Sequence, residues 1–566
     1  MHLKNVAVLQ FSDNDFIVDS KLQSFIKTAN KLKVLSLKSC KRITRTLDFS
    51  RCLNLERLAF EDCSNLEKID VSIGKLKHLI GLKIFLCHCL QNLPEEIGDL
   101  MNLEHFIVQQ CHKVKKLPDS IWKLKSLCEL HFSTDPTLDS EKLWELPSAI
   151  EKLQNLETLQ VNSPYLKGQL FPEIGRLHCL KILNISRTRV SEVPETISML
   201  PCLQRLELLA CHQNQKLPTL PISLTHLQFE SALLRVIPDL SNLTNLVELY
   251  LDDGGERGKH CTGGFSWIER LSKLTKLSLR LNHVRSAIHM ETFPQLPSSL
   301  QNLGLSDIRL IESLCPNMRN LLHLDLSRIQ RQVFEFDGLQ LPHLRELSVQ
   351  ECFTLKRLRL SSMRKLKGVR VSLCSSLDRI QFPWVFDSLE ALSIGGCKSL
   401  KWIVYVKETG QDNSEYANEM ITSEARVILP SRALNKLQSF MLSNCRQIHE
   451  IQIVGTFEVL ECFEVHDCSS LESLGGLSNS KNLQHLCIGE NNALRDIEGL
   501  KCGSSESLID VLSTKLPIHC HIKIFGGTKI FEGTLESCKH QVQKQRRRLS
   551  FNSFLHCILP CFFRLD

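Results

Sequence analysis

Apolar residues return along this chain at fixed intervals. Leu32, Leu35 and Leu37 are followed by Cys40, and the same spacing recurs as Leu55, Leu58, Phe60 and Cys63 and as Leu79, Leu82, Ile84 and Cys87. The first position of this frame runs from Leu3 through Leu103, Leu203, Leu300 and Leu389 to Leu483, giving about twenty repeats mostly 21 to 24 residues apart. Within each frame the apolar core alternates with period 2, which predicts a short strand with its large side chains inward and the intervening ones facing solvent. A single unit buries too little to stand alone. Stacked units predict a parallel sheet covered by the returning segments, with about three buried apolar side chains per repeat at roughly 2 kcal/mol each and no need for a disulfide or a metal.

The ninth position of the frame is Cys40, Cys63, Cys87, Cys111, Cys211, Cys352, Cys374, Cys397, Cys445 and Cys468 in ten repeats, and Asn282 or Asn491 in two others. This slot turns the chain out of the strand and takes a small, inward-facing side chain able to bond backbone that the turn leaves unpaired. Metal sites at Cys87-His88-Cys89, Cys111-His112, Cys211-His212 or His519-Cys520-His521 are disfavoured, because zinc needs four convergent ligands and these pairs are scattered one per repeat. The frame is the leucine-rich-repeat signature. It predicts an α/β repeat fold: a curved horseshoe with a parallel β-sheet on its concave face and mostly irregular or short helical returns.

Between the strands a second pattern occurs, as Leu93-Pro94-Glu95-Glu96-Ile97, Leu117-Pro118-Asp119-Ser120-Ile121, Leu146-Pro147-Ser148-Ala149-Ile150 and Val193-Pro194-Glu195-Thr196-Ile197. Proline fixes an extended start to the return, and the isoleucine then meets the core. With turns such as Cys63-Ser64-Asn65-Leu66 and Cys468-Ser469-Ser470-Leu471, the chain resembles the repeat region of plant intracellular nucleotide-binding leucine-rich-repeat disease-resistance proteins. It is most similar to the subclass with an N-terminal Toll/interleukin-receptor domain. The resemblance covers about residues 1–500. It implies repeats that recognise a pathogen effector or a modified host protein and hold a nucleotide-binding switch inactive. That switch is expected in another chain or a missing upstream segment, since Leu3 already lies in the frame. No phosphate-binding loop is found: Gly254-Gly255-Glu256-Arg257-Gly258-Lys259-His260 is one residue short and has His where the magnesium-binding hydroxyl belongs.

Two insertions break the period, near 252–266 and within 401–433, and are expected as surface loops. Residues 501–566 are expected to leave the repeat pattern. Their basic run Lys544-Gln545-Arg546-Arg547-Arg548 precedes an apolar tail with Cys557 and Cys561, suited to peripheral contact with an acidic membrane. Lys and Arg exceed Asp and Glu by 69 − 62 = 7, and much of that excess sits in this tail, so the repeats present no electrostatic case for nucleic acid. No secretory leader is evident at the first residues, and a cytoplasmic location is expected. The outward frame positions supply an acidic patch of Glu207, Glu230, Glu248, Tyr250, Asp252 and Asp253 beside a basic edge of Lys276 and Arg280, and an apolar group of Phe85, Leu86 and Ile107. Both are candidate protein contacts. No catalytic motif is recognised and no cofactor or metal is called for. A non-enzymatic recognition module of an immune receptor is the expectation, with a leucine-rich-repeat adaptor such as a ubiquitin-ligase substrate receptor as the alternative.

Overall fold

The computed structural model describes residues 5–544 apart from 15, 47, 135–142, 212–215, 232–238, 254–264, 282–294, 308–317, 387, 407–424, 492, 502–504, 517–519 and 527–528. The chain divides into two units, Met1–Ile288 and His289–Asp566.

In the first unit, parallel strands follow one another in register from Val8–Ser12 through Val34–Lys38, Arg57–Glu61 and Gly81–Phe85 to Lys276–Arg280. The strands arise where the sequence alternates. In Arg57–Glu61, Leu58 and Phe60 are 1% exposed while Arg57, Ala59 and Glu61 face out. The Val8–Ser12 strand corrects the start of the frame. Val8 pairs with Val34 and Phe11 with Leu37, so the first frame begins at Val6, and Leu3 lies outside the described residues. Asn14 therefore takes the ninth position, where its Oδ1 accepts the Phe16 and Ile17 amides.

Beside the Asp19–Thr28 helix and the short outer pair Lys167–Gln169 and Arg189–Glu192, many returns in this unit are single 3-10 turns, as at Glu95–Asp99, Asp119–Lys123, Ser148–Lys152 and Glu195–Met199. Each starts from an extended proline, Pro94, Pro118, Pro147 or Pro194, with ψ between 143° and 158°. Proline locks φ, and the following isoleucines Ile97, Ile121, Ile150 and Ile197 are buried.

The second unit keeps the inner strands, from Asn302–Ser306 through Glu346–Gln350 to His485–Gly489, but its returns are mostly strands rather than helical turns. Val333–Asp337, Arg357–Ser361, Arg379–Pro383 and Trp402–Val406 make one parallel outer sheet. Arg426–Pro430, Glu450–Val454, Ser473–Gly475 and Asp496–Ile497 make another, closed by Leu500–Lys501. The reason is local: here the residues after the turn alternate, as Leu358 and Leu360 or Ile380 and Phe382, and no proline starts a helical turn. Trp402–Val406 and Arg426–Pro430 fall within 401–433, so only 407–424, outside the described residues, remains of the loop expected there. Past residue 500, the His521–Gly526 strand adds a further rung beside His485–Gly489, after the Ser505–Lys515 helix.

One backbone feature recurs in most frames. The eighth position, including Ser39, Asp62, Leu86, Gln110, Glu351, Leu373, Asn444 and Asp467, has φ between 48° and 59°. This left-handed residue turns its amide to the next repeat, as Ser39 N–H does to Glu61 O at 2.8 Å. The ninth-position cysteines then point inward and are wholly buried. Their thiols lie against carbonyls of their own and usually the preceding repeat, Cys63 Sγ donating to Leu37 O at 3.5 Å and Cys352 Sγ to Gln350 O at 3.4 Å. Asn491 fills the slot equivalently, its amide donating to Val465 O and accepting from Cys468 N, both at 2.9 Å. Burial pushes the Cys468 thiol up to about 11, so it stays protonated and able to donate at neutral pH.

Candidate functional site

In-register parallel pairing sets equal frame positions side by side, so the outward side chains of the first unit form a grid on its inner sheet. At its C-terminal end Glu207, Glu230, Glu248 and Tyr250 are half-buried on that face and Lys276 is exposed. Their charges are matched within and across strands. Lys276 Nζ is 2.7 Å from Glu248, Arg205 is 3.3 Å from Glu207, and Glu230 accepts the Ala210 amide at 3.1 Å.

The two aspartates do not join an exposed acidic patch. Asp252 is 2% exposed and Asp253 3%. Asp252 accepts the Tyr250 hydroxyl at 2.9 Å and faces Arg280 at 3.5 Å, which cover it. Asp253 occupies an eighth position, but, like Thr134, Ser163 and Ser231, it is absent from the left-handed residues and is buried in place of the usual cysteine. Burial and then the Asp252 charge push the Tyr250 phenol upward, so it remains a hydrogen-bond donor. The surface offered here is a lattice of ion pairs and one aromatic ring, not an unbalanced acidic field.

Farther toward the N-terminus, Phe85, Leu86 and Ile107 are half-buried on neighbouring rungs. Lys83 lies over the Phe85 ring at 5.7 Å and pairs in register with Ile107, so the apolar group is small and capped by a cation. Leu86 is the left-handed eighth residue, its amide bonded to Gln109 O.

Sequence reasoning missed the polar centre between these two regions. Glu129 bridges two imidazoles, with His105 Nδ1 2.9 Å from one carboxylate oxygen and His131 Nε2 3.0 Å from the other. Burial pulls the His131 imidazole below its usual range, against the pull of Glu129. Next to it Asn162 donates to Asn184 at 2.8 Å, and Asn184 donates to Glu207 at 2.6 Å, linking three strands. All of these occupy outward third, fifth or seventh frame positions, and writing the frames one above another would have placed them together.

The inner sheet of the second unit differs. Arg370 stands exposed in Gly368–Ser372 with Ser348 and Ser393 as its register neighbours, and Gly368, Gly395 and Ser443 keep the floor around it low. On the outer layer, two strands, Trp402–Val406 and Arg426–Pro430, stand opposite the directly paired inner strands Ala391–Gly395 and Ser439–Ser443. The seam encloses about 250 Å³ against Trp384, Val404, Ile428, Pro430 and Val454, and the Tyr405 hydroxyl spans it to Ile428 O at 3.2 Å.

His88, a residue of the disfavoured metal motifs, stacks in parallel on His112 with ring centroids 4.3 Å apart. Among the described residues no three His, Cys, Asp or Glu side chains converge as a cation site, and no helix is long and apolar enough to cross a membrane. The apolar tail, most of its basic run, and Asn282 lie outside the described residues.

Residues 21–165 match the profile of a leucine-rich repeat region, and residues 356–488 match that of plant disease resistance protein RPS2-like leucine-rich repeats. TMV resistance protein N of Nicotiana glutinosa is 34% identical over 178 residues, covering 31% of this chain and 15% of that protein. A candidate disease resistance protein of Arabidopsis thaliana is 28% identical over 337 residues, 55% of this chain and 23% of its own length. The chain thus matches less than a quarter of the length of either relative. Among solved structures, a leucine-rich-repeat protein of Leptospira interrogans is 21% identical with a TM-score of 0.44, covering 78% of this chain and 90% of that one. From the repeated frame and the stacked parallel strands, the chain is a leucine-rich-repeat protein, and its repeats are similar to those of plant disease-resistance proteins.

Proposed function

We propose that this chain is the recognition part of a plant immune receptor, working by binding rather than by catalysis. It takes up a pathogen effector or an altered host protein on the outward faces of its inner sheets. In the resting state it restrains a nucleotide-binding switch carried on another chain or segment, and it works on the cytoplasmic side of the cell. The observation that carries this reading is the likeness of the repeats to those of disease-resistance proteins, on a sheet that offers a ladder of outward polar side chains. Cross-strand ion pairs suit such a surface. They contribute little to folding when exposed, yet fix the register and complementarity that a partner reads.

The experiment is co-expression in leaf tissue of the tagged chain with the nucleotide-binding domain of a resistance protein of the Toll/interleukin-receptor subclass. The chain should co-precipitate with that domain and suppress the cell death the domain triggers alone. An absence of both association and suppression would remove the switch-restraining role.

A further inference from the structure

The rim of the first unit carries two exposed thiols, Cys179 and Cys202, in contrast to the buried frame cysteines. They occupy the same place in successive repeats. Each follows a 3-10 turn, Pro172–Arg176 or Glu195–Met199, and immediately precedes the first leucine of its frame, Leu180 or Leu203. Ile182 pairs in parallel with Arg205, and Lys181 O accepts the Gln204 amide at 2.8 Å, so the residues three before each paired position fall side by side.

Side chains in this slot reach back toward the preceding repeat. Asn54, Asn102, Asn155 and Asn245 fill it elsewhere, and their amides donate to Asn30 O at 3.1 Å, Lys77 O at 2.8 Å, Lys125 O at 3.0 Å and Ile222 O at 3.0 Å. Ser223, one repeat after Cys202, donates to Leu203 O at 2.8 Å. Each acceptor lies within a residue of its own repeat's copy of the slot. The Cys202 side chain, in that slot, is therefore directed at the turn that holds Cys179. Adjacent parallel strands at about 4.8 Å bring the two Cα atoms within the roughly 4.4–6.8 Å that a disulfide spans.

A cation attends both sulfurs. Lys181 Nζ is 2.8 Å from Glu157, whose hydrogen bond chiefly holds its proton, and it lies near enough to Cys202 and Cys179 to interact with both. Cys128, half-buried, is near enough to interact with Cys179 and Lys181 as well.

We propose that Cys179 and Cys202 are a redox-active dithiol that a peroxide closes into a disulfide across two successive repeats. The first thiolate attacks the peroxide O–O bond, giving a sulfenic acid and, with a proton, water. The second thiolate then attacks that sulfur, forming the S–S bond and releasing hydroxide, which is protonated to a second water. A dithiol reductant reverses the bond by exchange.

The test treats the whole folded chain with hydrogen peroxide at neutral pH, blocks remaining thiols and maps tryptic peptides without reduction. One linked species, joining Leu177–Lys181 to Val190–Arg205 and lighter by two hydrogens than the two peptides, should form and disappear with dithiothreitol. C179S and C202S, both at exposed sites where a hydroxyl is tolerated, should each abolish it. Recovery of the two peptides unlinked, as free thiols or separate sulfinic acids, would overturn the proposal, as would a link from Cys179 to Cys128 in place of Cys202.

Discussion

At the residue scale the repeat is governed by two neighbouring positions, the left-handed eighth and the buried ninth. A non-glycine residue in the left-handed region costs about 1–2 kcal/mol, and a β-branched one more. Leu373, half exposed with φ 55°, tests this without touching the core. Leu373→Val should lower the unfolding free energy by about 1 kcal/mol, while Leu373→Gly should hold or raise it, as read by urea titration. The His105–Glu129–His131 centre sets a pH dependence. His131 has its pKa lowered in the fold, so the unfolded chain binds more protons and stability falls as pH drops through about 6.5. His131→Gln should flatten the change in thermal midpoint between pH 7.5 and pH 5.5, and an unchanged slope would assign the dependence elsewhere. The ninth-position cysteines were legible because composition and spacing coincide there. The eighth position was not, since Ser, Asp, Leu, Gln, Glu and Asn share nothing but a backbone angle. The burial of Asp252 and Asp253 was hidden for the same reason: it depends on where the chain turns and on Tyr250 and Arg280, not on residue type.

At the scale of elements, the inner strands from the Leu32 frame to the Leu483 frame were readable because apolar alternation at fixed spacing leaves one arrangement that buries it; the first frame and the His521–Gly526 rung were not. The returns show how much a single proline decides. After Pro94, Pro118, Pro147 and Pro194 a 3-10 turn forms; where the residues alternate, an outer strand forms instead, as in most returns of the second unit. Ile380, wholly buried in Arg379–Pro383, should therefore behave as a core residue of a sheet. Ile380→Ala should cost about 2–5 kcal/mol by chemical denaturation. The Glu248–Lys276 pair belongs to a different class, with Lys276 54% and Glu248 20% exposed. Lys276→Met should shift stability by less than about 1 kcal/mol, so any larger effect of this variant on partner capture reports recognition rather than folding. The 401–433 interruption was misjudged at its ends, where alternating residues on either side of a polar stretch form strands.

At the scale of the whole molecule, each unit buries its apolar face by stacking repeats, and the two inner sheets present different outward chemistry. The first offers matched charges, histidines and amides; the second offers a low floor around Arg370. The central claim is that these inner faces, and not the outer layer, carry recognition. The direct measurement is quantitative co-purification from plant tissue of the tagged chain and two folded variants. One is reversed on the inner face, Arg205→Glu with Lys276→Glu; the other on the outer sheet, Arg357→Glu with Arg359→Glu. The inner-face variant should lose its specific partners by tenfold or more while the outer variant keeps them. Partners retained by the inner-face variant and lost by the outer one would contradict it.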